Sequence, residues 1–369
     1  MDWVARRCDD ARMIRFAVSR GSALALALVG CGGASQPAQS PGTDVHAQAE
    51  VGSGAGATGG GSAAPGGKTP AAPGSDAAPA SAEVDAGNKA FDAGDFEKAR
   101  ASFDAATKKN PKNFGAFFNL GQTCEKLGDK ACAEAAYKSA IAIKPDFDTA
   151  AAELSALYLN SARIDDALAV AKQGLAAHPG SGPLHAALGG GLAEQHQQEL
   201  ATKEFMQAIQ ITPSDPMFHL GFAHYLHLWG DNKDAAFQLD TALPLVKDDY
   251  ALLDSIGHEY RLAAQVDSCI KVFDRLVKMK DGGEVRTERG LCKLAQKDEK
   301  GGFEDLQAAV TTEPSYATAH YYLAGRLAAN KKLKEAAAEY SKYLQLAPDG
   351  SLAGKAKERL DMIEKMQKK

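Results

Sequence analysis

After position 31 the chain has no run of eighteen apolar residues; it has no Cys-x-x-Cys pair and no excess of basic charge. The first absence argues against a membrane-spanning helix. The second argues against a structural zinc site or a thioredoxin-like redox motif, although six cysteines are present. The third, a net charge of −5 with a pI near 6.0, leaves no basic stripe of the kind nucleic-acid binding calls for.

Large side chains are scarce in one region. From Gly32 to Ala82 almost every residue is Gly, Ala, Ser, Pro or small and polar, and the largest apolar side chains are Val45 and Val51. Such a segment cannot bury enough apolar surface to offset the entropy of ordering, so residues 32–79 are expected to form a disordered tether. A flexible coil of about fifty residues reaches roughly 40 Å end to end. Before it, residues 1–31 read as a targeting segment to be left out of fold reasoning. Arg15 and Arg20 precede the apolar run Ala23–Val29, which ends at Leu28-Val29-Gly30-Cys31.

That ending resembles a bacterial lipobox, which implies a lipoprotein whose Cys31 thiol is diacylated and becomes the new N-terminus. Two acyl chains hold a protein on a membrane stably. Gly32 is not the aspartate that retains enteric lipoproteins at the inner membrane, so the periplasmic face of the outer membrane is the expected location.

What the chain does have is a period. Ala99, Ala133, Ala167, Ala201, Ala235 and Cys269 are each separated by 34 residues, and after the loss of one residue Gly302 and Ala336 continue the series. Twelve residues before each stands a second, mostly small series: Gly87, Gly121, Ser155, Gly189, Ala223, Gly257, Gly290 and Ala324. Four residues after each a bulky residue is usual, as at Phe103, Tyr137, Phe205 and Phe273, with Ala171 the exception. Prolines 111, 145, 179, 213, 314 and 348 close the units, because proline cannot continue a helix. Two antiparallel helices approach closely only where both present small side chains, and the bulky residue is expected to fill the gap between one hairpin and the next. Gly94-Asp95, Gly128-Asp129 and Gly230-Asp231 mark hairpin turns, where Gly permits positive φ and Asp caps the next helix.

This period and pattern resemble the tetratricopeptide-repeat family. The second unit, with Phe117, Leu120-Gly121, Cys124, Ala133, Tyr137, Ala140 and Pro145, carries the signature most completely. The resemblance implies an all-α, right-handed superhelical solenoid of about eight hairpins over residues 80–350, with an amphipathic capping helix at 351–369. The fifth and sixth units have Lys247 and Asp281 in place of the closing proline, and the seventh has Arg289 and Lys293 at usually apolar positions.

In that family, partners usually lie along the concave groove lined by the first helix of each hairpin. Carried over, the groove positions are Phe118, Gln122, Glu125 and Lys126, then the small apolar set Ala152, Ala156, Leu159, Ala186, Gly190 and Ala193. Leu220, His224, His227, Asp254, His258 and Arg261 follow, with Tyr321 in the eighth unit. This predicts a shallow apolar middle beside a histidine-rich section, suited to a protein or peptide ligand. Asn88 and Asn119 occupy the asparagine positions of the cochaperone carboxylate clamp, but Val84, Thr149 and Glu153 stand where its cations would be.

Chemistry is not evident. His224 and His227 are three apart and share a helix face, yet no third ligand joins them, so no metal is expected. Gly189-Gly190-Gly191 lacks the P-loop pattern and falls inside a repeat helix, where the extra glycines predict a flexible point. Cys124 and Cys132 fall in one hairpin and Cys269 and Cys292 in adjacent ones. Each pair could be bridged in an oxidising compartment, but their packing positions favour reduced core cysteines. No cofactor, small-molecule substrate or catalytic cluster is expected. The sequence reads as a membrane-tethered interaction scaffold of the bacterial envelope, an assembly or stability factor rather than an enzyme. The alternative is a periplasmic regulatory subunit of a separate enzyme such as a peptidoglycan hydrolase.

Overall fold

The computed structural model describes residues 82–367. Cys31 and the stretches expected to form a signal and a tether lie outside the described residues. Within them the chain forms seventeen α-helices, one short 3₁₀ turn and no strand.

The helices pair in sequence. The first three hairpins are α1 (Ala82–Asp92) with α2 (Phe96–Lys109), α3 (Phe114–Lys126) with α4 (Lys130–Ile143), and α5 (Asp148–Leu159) with α6 (Ile164–Ala177). Then come α7 (Gly182–Glu194) with α8 (Gln198–Ile211), and α9 (Pro216–Trp229) with α10 (Asn232–Ala242). The last three are α11 (Tyr250–Leu262) with α12 (Val266–Met279), α13 (Gly283–Ala295) with α14 (Glu299–Thr312), and α15 (Ala317–Ala329) with α16 (Leu333–Leu346). Helix α17 (Ala353–Gln367) packs on α16 and ends the array. Its Ala356 and Ile363 are buried, as is Leu352 just before it, while Arg359 donates to the Tyr340 hydroxyl at 3.2 Å and covers the Tyr321 ring. An end hairpin is thus spared an exposed apolar face. Each odd helix packs on its own partner, and from α5 to α15 each also touches the next odd helix, so these odd helices form a layer.

Local chemistry starts and stops these helices as the turn residues dictate. The side chains of Asp95, Asp129, Asp231 and Asp298 accept backbone N–H bonds at 3.2, 3.0, 3.1 and 2.9 Å, capping α2, α4, α10 and α14. Gly94, Gly128 and Gly230 take φ of 76°, 76° and 91°. The same register position in the other five hairpins holds Ala162, His196, Ala264, Lys297 and Lys331, also left-handed, at φ of 55–72°. A side chain there is strained by its Cβ, which only glycine escapes.

The bulky series packs first within its own hairpin. A Cβ added to Gly87, Gly121 or Gly257 would stand 2.6, 2.5 or 2.9 Å from the ring of Phe103, Tyr137 or Phe273. The glycine is a seat for the ring. The expected role between hairpins is met as well at Phe205, which lies against Gly189 and stacks on Phe222 of the next hairpin at 5.3 Å. Where Ser155 replaces the glycine, its hydroxyl donates to the Ala167 carbonyl at 3.0 Å.

Two expectations are corrected here. Gly190 and Gly191 are not spare glycines, since each is closely approached. A Cβ at Gly189, Gly190 or Gly191 would meet Phe205 at 3.1 Å, Leu159 at 3.3 Å or Leu168 at 2.7 Å, so α7 is closely approached on three sides. The cysteines are not reduced core residues either. Cys124 is bonded to Cys132 across α3 and α4, and Cys269 to Cys292 across α12 and α13. Their Cα atoms stand 5.8 and 6.2 Å apart, within bridging range, because facing packing positions bring small side chains together.

The seventh hairpin explains its own charges. Arg289 holds Asp305 through two guanidinium nitrogens at 2.5 and 2.8 Å and Asp274 through a third at 2.8 Å. Lys293 joins Asp305 at 2.7 Å. The guanidinium charge is held firmly by hydrogen bonds to Asp305, which outweigh partial burial and push the Arg289 pKa up. A buried carboxylate with two cations is compensated where a lone charge would not be.

Candidate partner-binding face

The face to be tested is the side of the odd-helix layer that carries the predicted groove positions. Its middle is less open than the sequence suggests. Phe118, Leu159, Ala186, Gly190, Leu220, His224 and Tyr321 are all buried, whereas Gln122, Glu125, His227, His258 and Arg261 are half-buried. Phe118 packs edge-on against Phe147 at 5.1 Å, Tyr321 touches the rings of Tyr340 and Tyr343, and Leu159 lies against Gly190. The apolar positions are therefore interior, and an open apolar surface is not what they make. Helices α5, α7 and α9 show the same thing along their length, with Ala150–Leu159, Ala186–Ala193 and Phe218–Leu226 buried at every position. Helices that are apolar on all sides are enclosed on all sides.

Polar positions join neighbouring odd helices at two places, between α1 and α3 and as a seam from α7 to α13. Asn119 donates to Asn88 at 3.1 Å, linking α3 to α1, so the two asparagines of the clamp positions satisfy each other. The Tyr225 hydroxyl donates to Glu194 at 3.0 Å, linking α9 to α7. His224 Nδ1 lies 2.8 Å from Glu259 Oε1, linking α9 to α11. Glu288 on α13 takes the Arg261 guanidinium at 2.9 Å and lies 3.6 Å from His258 Nε2, linking α13 to α11. His227, by contrast, bonds Asn232 within its own hairpin.

This seam shifts protonation. Burial alone would lower the His258 pKa, but the Glu288 charge and hydrogen bond, with help from Asp254, outweigh it and carry the ring to about 9. Burial raises Asp254 to about 6 against the pull of His258, aided by Glu284 and Glu288. On α5, Glu153 is raised to about 8 by burial first and by the neighbouring Glu125 second, with Lys126 opposing. Glu125 itself is raised by burial, partly offset by the Tyr137 hydroxyl bond at 2.7 Å.

Three histidines do something the sequence reading missed. His185, His219 and His320 occupy one register position, and each spans two neighbours with its ring. One nitrogen meets Glu204, Gln238 or Glu339 on the partner helix at 2.6, 2.7 or 2.5 Å. The other meets the carbonyl of the preceding unit's Pro179, Pro213 or Pro314 at 3.0, 3.2 or 3.0 Å. The legible signal was a histidine six residues after a closing proline in all three units. These rings tie each hairpin to the one before it and are not part of the seam. Among the described residues no group of three or more His, Cys, Asp or Glu side chains is placed to hold a metal.

The tetratricopeptide-repeat model matches residues 84–146 and 303–351, at the two ends of the array. The solved structure of yeast Tom70 superimposes with a TM-score of 0.57 at 14% identity, over 82% of this chain and 68% of that one. An APC/C hetero-tetramer of Cut9 and Hcn1 gives 0.50 at 14% identity, over 73% and 52%. These likenesses show the fold: a helical solenoid of the tetratricopeptide-repeat type. The human protein O-mannosyl-transferase TMTC1 is 29% identical over 252 residues, 68% of this chain. The chain spans 25% of the length of that relative.

Proposed function

We propose that the chain is a non-catalytic docking scaffold whose odd-helix face receives a protein or peptide partner. The observation that carries this reading is the seam itself: from α7 to α13 charged and polar groups of the odd-helix layer are shared between successive repeats. A stack of repeats offers a long, continuous surface of that kind. The likeness to a mannosyl-transferase adds no transferase reading, since it involves a quarter of that protein.

We place the scaffold at the bacterial envelope, as an assembly or stability factor held through acylated Cys31. The motif Leu28-Val29-Gly30-Cys31 and the low-complexity stretch after it support this location. So do the two disulfides, which persist in an oxidising compartment. No described helix is long and apolar enough to cross a membrane. Cys31→Ser is expected to abolish acyl labelling and release the protein from membranes; retained labelling contradicts the anchor. For the docking face, photocrosslinking amino acids at Gln122 and His227 are expected to trap one partner in cells, and the same group at Phe237 on α10 is not. Equal trapping from all three positions contradicts the reading.

A further inference from the structure

In the fourth, fifth and eighth hairpins a histidine of the odd helix meets the residue 19 positions later on the even helix. The residue types at these two positions change together along the array. Phe117, Ala151 and Leu253 go with Ala136, Val170 and Val272. His185 and His320 go with Glu204 and Glu339, at 2.6 and 2.5 Å. Arg286, 34 residues before His320, goes with Asp305 at 3.8 Å while it also holds Asp281. A carboxylate at the second position is thus matched by a base at the first. His219, opposite Gln238, is a histidine without a carboxylate.

The second ring nitrogen decides the charge. Nε2 of His185, His219 and His320 lies 3.0, 3.2 and 3.0 Å from a backbone carbonyl, which can only accept. Neutral imidazole has one N–H and one lone pair, so between two acceptors it satisfies one and turns its lone pair on the other. Ionised Glu204 and Glu339 also only accept, and imidazolium, with two donors, is the ring form that satisfies both sides. Gln238 is different, because its amide, turned over, donates to Nδ1 of a neutral His219.

Other charges do not change this. Around His185, Asp148 lies with His178, Asp165 takes Gln195, Asp166 takes Arg163, and Glu153 lies beside Glu125 and Lys126. Helix α9 carries no Asp, Glu, Lys or Arg. Around His320, Arg289 and Lys293 go to Asp305, Glu288 to Arg261, Glu299 to Arg326, Lys300 to Glu304 and Glu313 to the Gly283 N–H. Among the described residues Glu204 and Glu339 are the carboxylates within ion-pair reach of the two rings. Side-chain exposure of 15% and 20% for His185 and Glu204, and 7% and 26% for His320 and Glu339, leaves each pair open to proton exchange with solvent.

We propose that the joints before the fourth and eighth hairpins are pH-sensitive: His185 and His320 stand as imidazolium rings that clip the preceding link to the even helix, and loss of the proton frees one end of the clip. The charged ring is the form that holds the joint, so its contribution is present at low pH and lost as pH rises. The joint before the fifth hairpin, clipped by His219 and Gln238, has the same shape and no such response. Rising pH therefore loosens two joints and spares a third, whatever partner docks on the array.

The test is nitrogen-15 NMR of the histidine rings in the full chain near about pH 7.5, assigned through His185→Gln, His219→Gln and His320→Gln. His185 and His320 are expected to carry protons on both nitrogens, and His219 on one. Glu204→Gln should return His185 alone to one proton, and Gln238→Glu should give His219 a second. The link amides of Ser181, Asp215 and Tyr316, bonded to the carbonyls of His178, Thr212 and Glu313, report on the three joints by hydrogen exchange. With intrinsic rates divided out, protection at Ser181 and Tyr316 should fall by about fivefold or more relative to Asp215 between about pH 6 and about pH 9. Thermal melts check that each variant is folded. One-proton rings at His185 and His320, ring states indifferent to the exchange of Glu and Gln, or equal change at all three amides would overturn the proposal.

Discussion

The second and seventh hairpins make the same crossing by different means. In the second, Gly121 leaves room for the Tyr137 ring and the contact is one of size and shape. In the seventh, Gly290 and Gly302 let the two backbones approach, and Arg289 and Lys293 converge on the buried Asp305 beside them. The family model includes the second hairpin within its first matched segment, and α13 falls outside both. A repeat can therefore leave its signature while keeping its geometry, provided that the replacement charges are paired inside the same crossing.

This contrast can be broken from either side. Asp305→Ala should cost the most, about 3–5 kcal/mol, because it strands Lys293 and leaves Arg289 with Asp274 alone in a partly buried place. Chemical denaturation would measure it; a loss under about 1 kcal/mol would mean the charges are solvated rather than structural. Gly121→Ala should cost about 1–3 kcal/mol, since the new methyl would press on a fully buried ring. An unchanged midpoint would show that Tyr137 has room to move.

A third test uses pH. Glu153 and His258 both have folded-state pKa values above their ordinary ones, about 8 against 4.5 and about 9 against 6.5. For a raised pKa the stabilising contribution is full below the ordinary value and lost as pH rises through the folded one. Melting temperature is thus expected to fall between about pH 5 and pH 9. Glu153→Gln should flatten much of that fall. A curve that rises over this range contradicts the assignment.

The smallest effect concerns the turns. Ala162→Gly and Ala264→Gly should each stabilise by up to about 1 kcal/mol, by removing a Cβ from a left-handed residue. A matching change at Gly128, to Ala, should destabilise by a similar amount.

Much of the fold was legible in the chain because its determinants are local and repeated. Small residues at Gly121 and Ala133, a ring at Tyr137 and a proline at Pro145 recur at a fixed spacing, and each has one physical use. The turn at Ala162 was not legible, since nothing about alanine announces a positive φ that the hairpin imposes on it. The binding face was only partly so. Family positions found His258 and Arg261, but Glu153, Glu259 and Glu288 became visible only when neighbouring helices were set side by side. The same positions marked Ala186 and Leu220 as surface, because a position number does not say how tightly successive helices close. The cysteine pairs failed for the same reason: small packing residues and bridged residues occupy the same places.

The central claim is that partners dock on the layer of odd helices, and amide hydrogen exchange of the chain with and without its captured partner tests it most directly. Added protection in α3, α9 and α11, with α8 and α10 unchanged, is the predicted result. Protection concentrated in the even helices would contradict it.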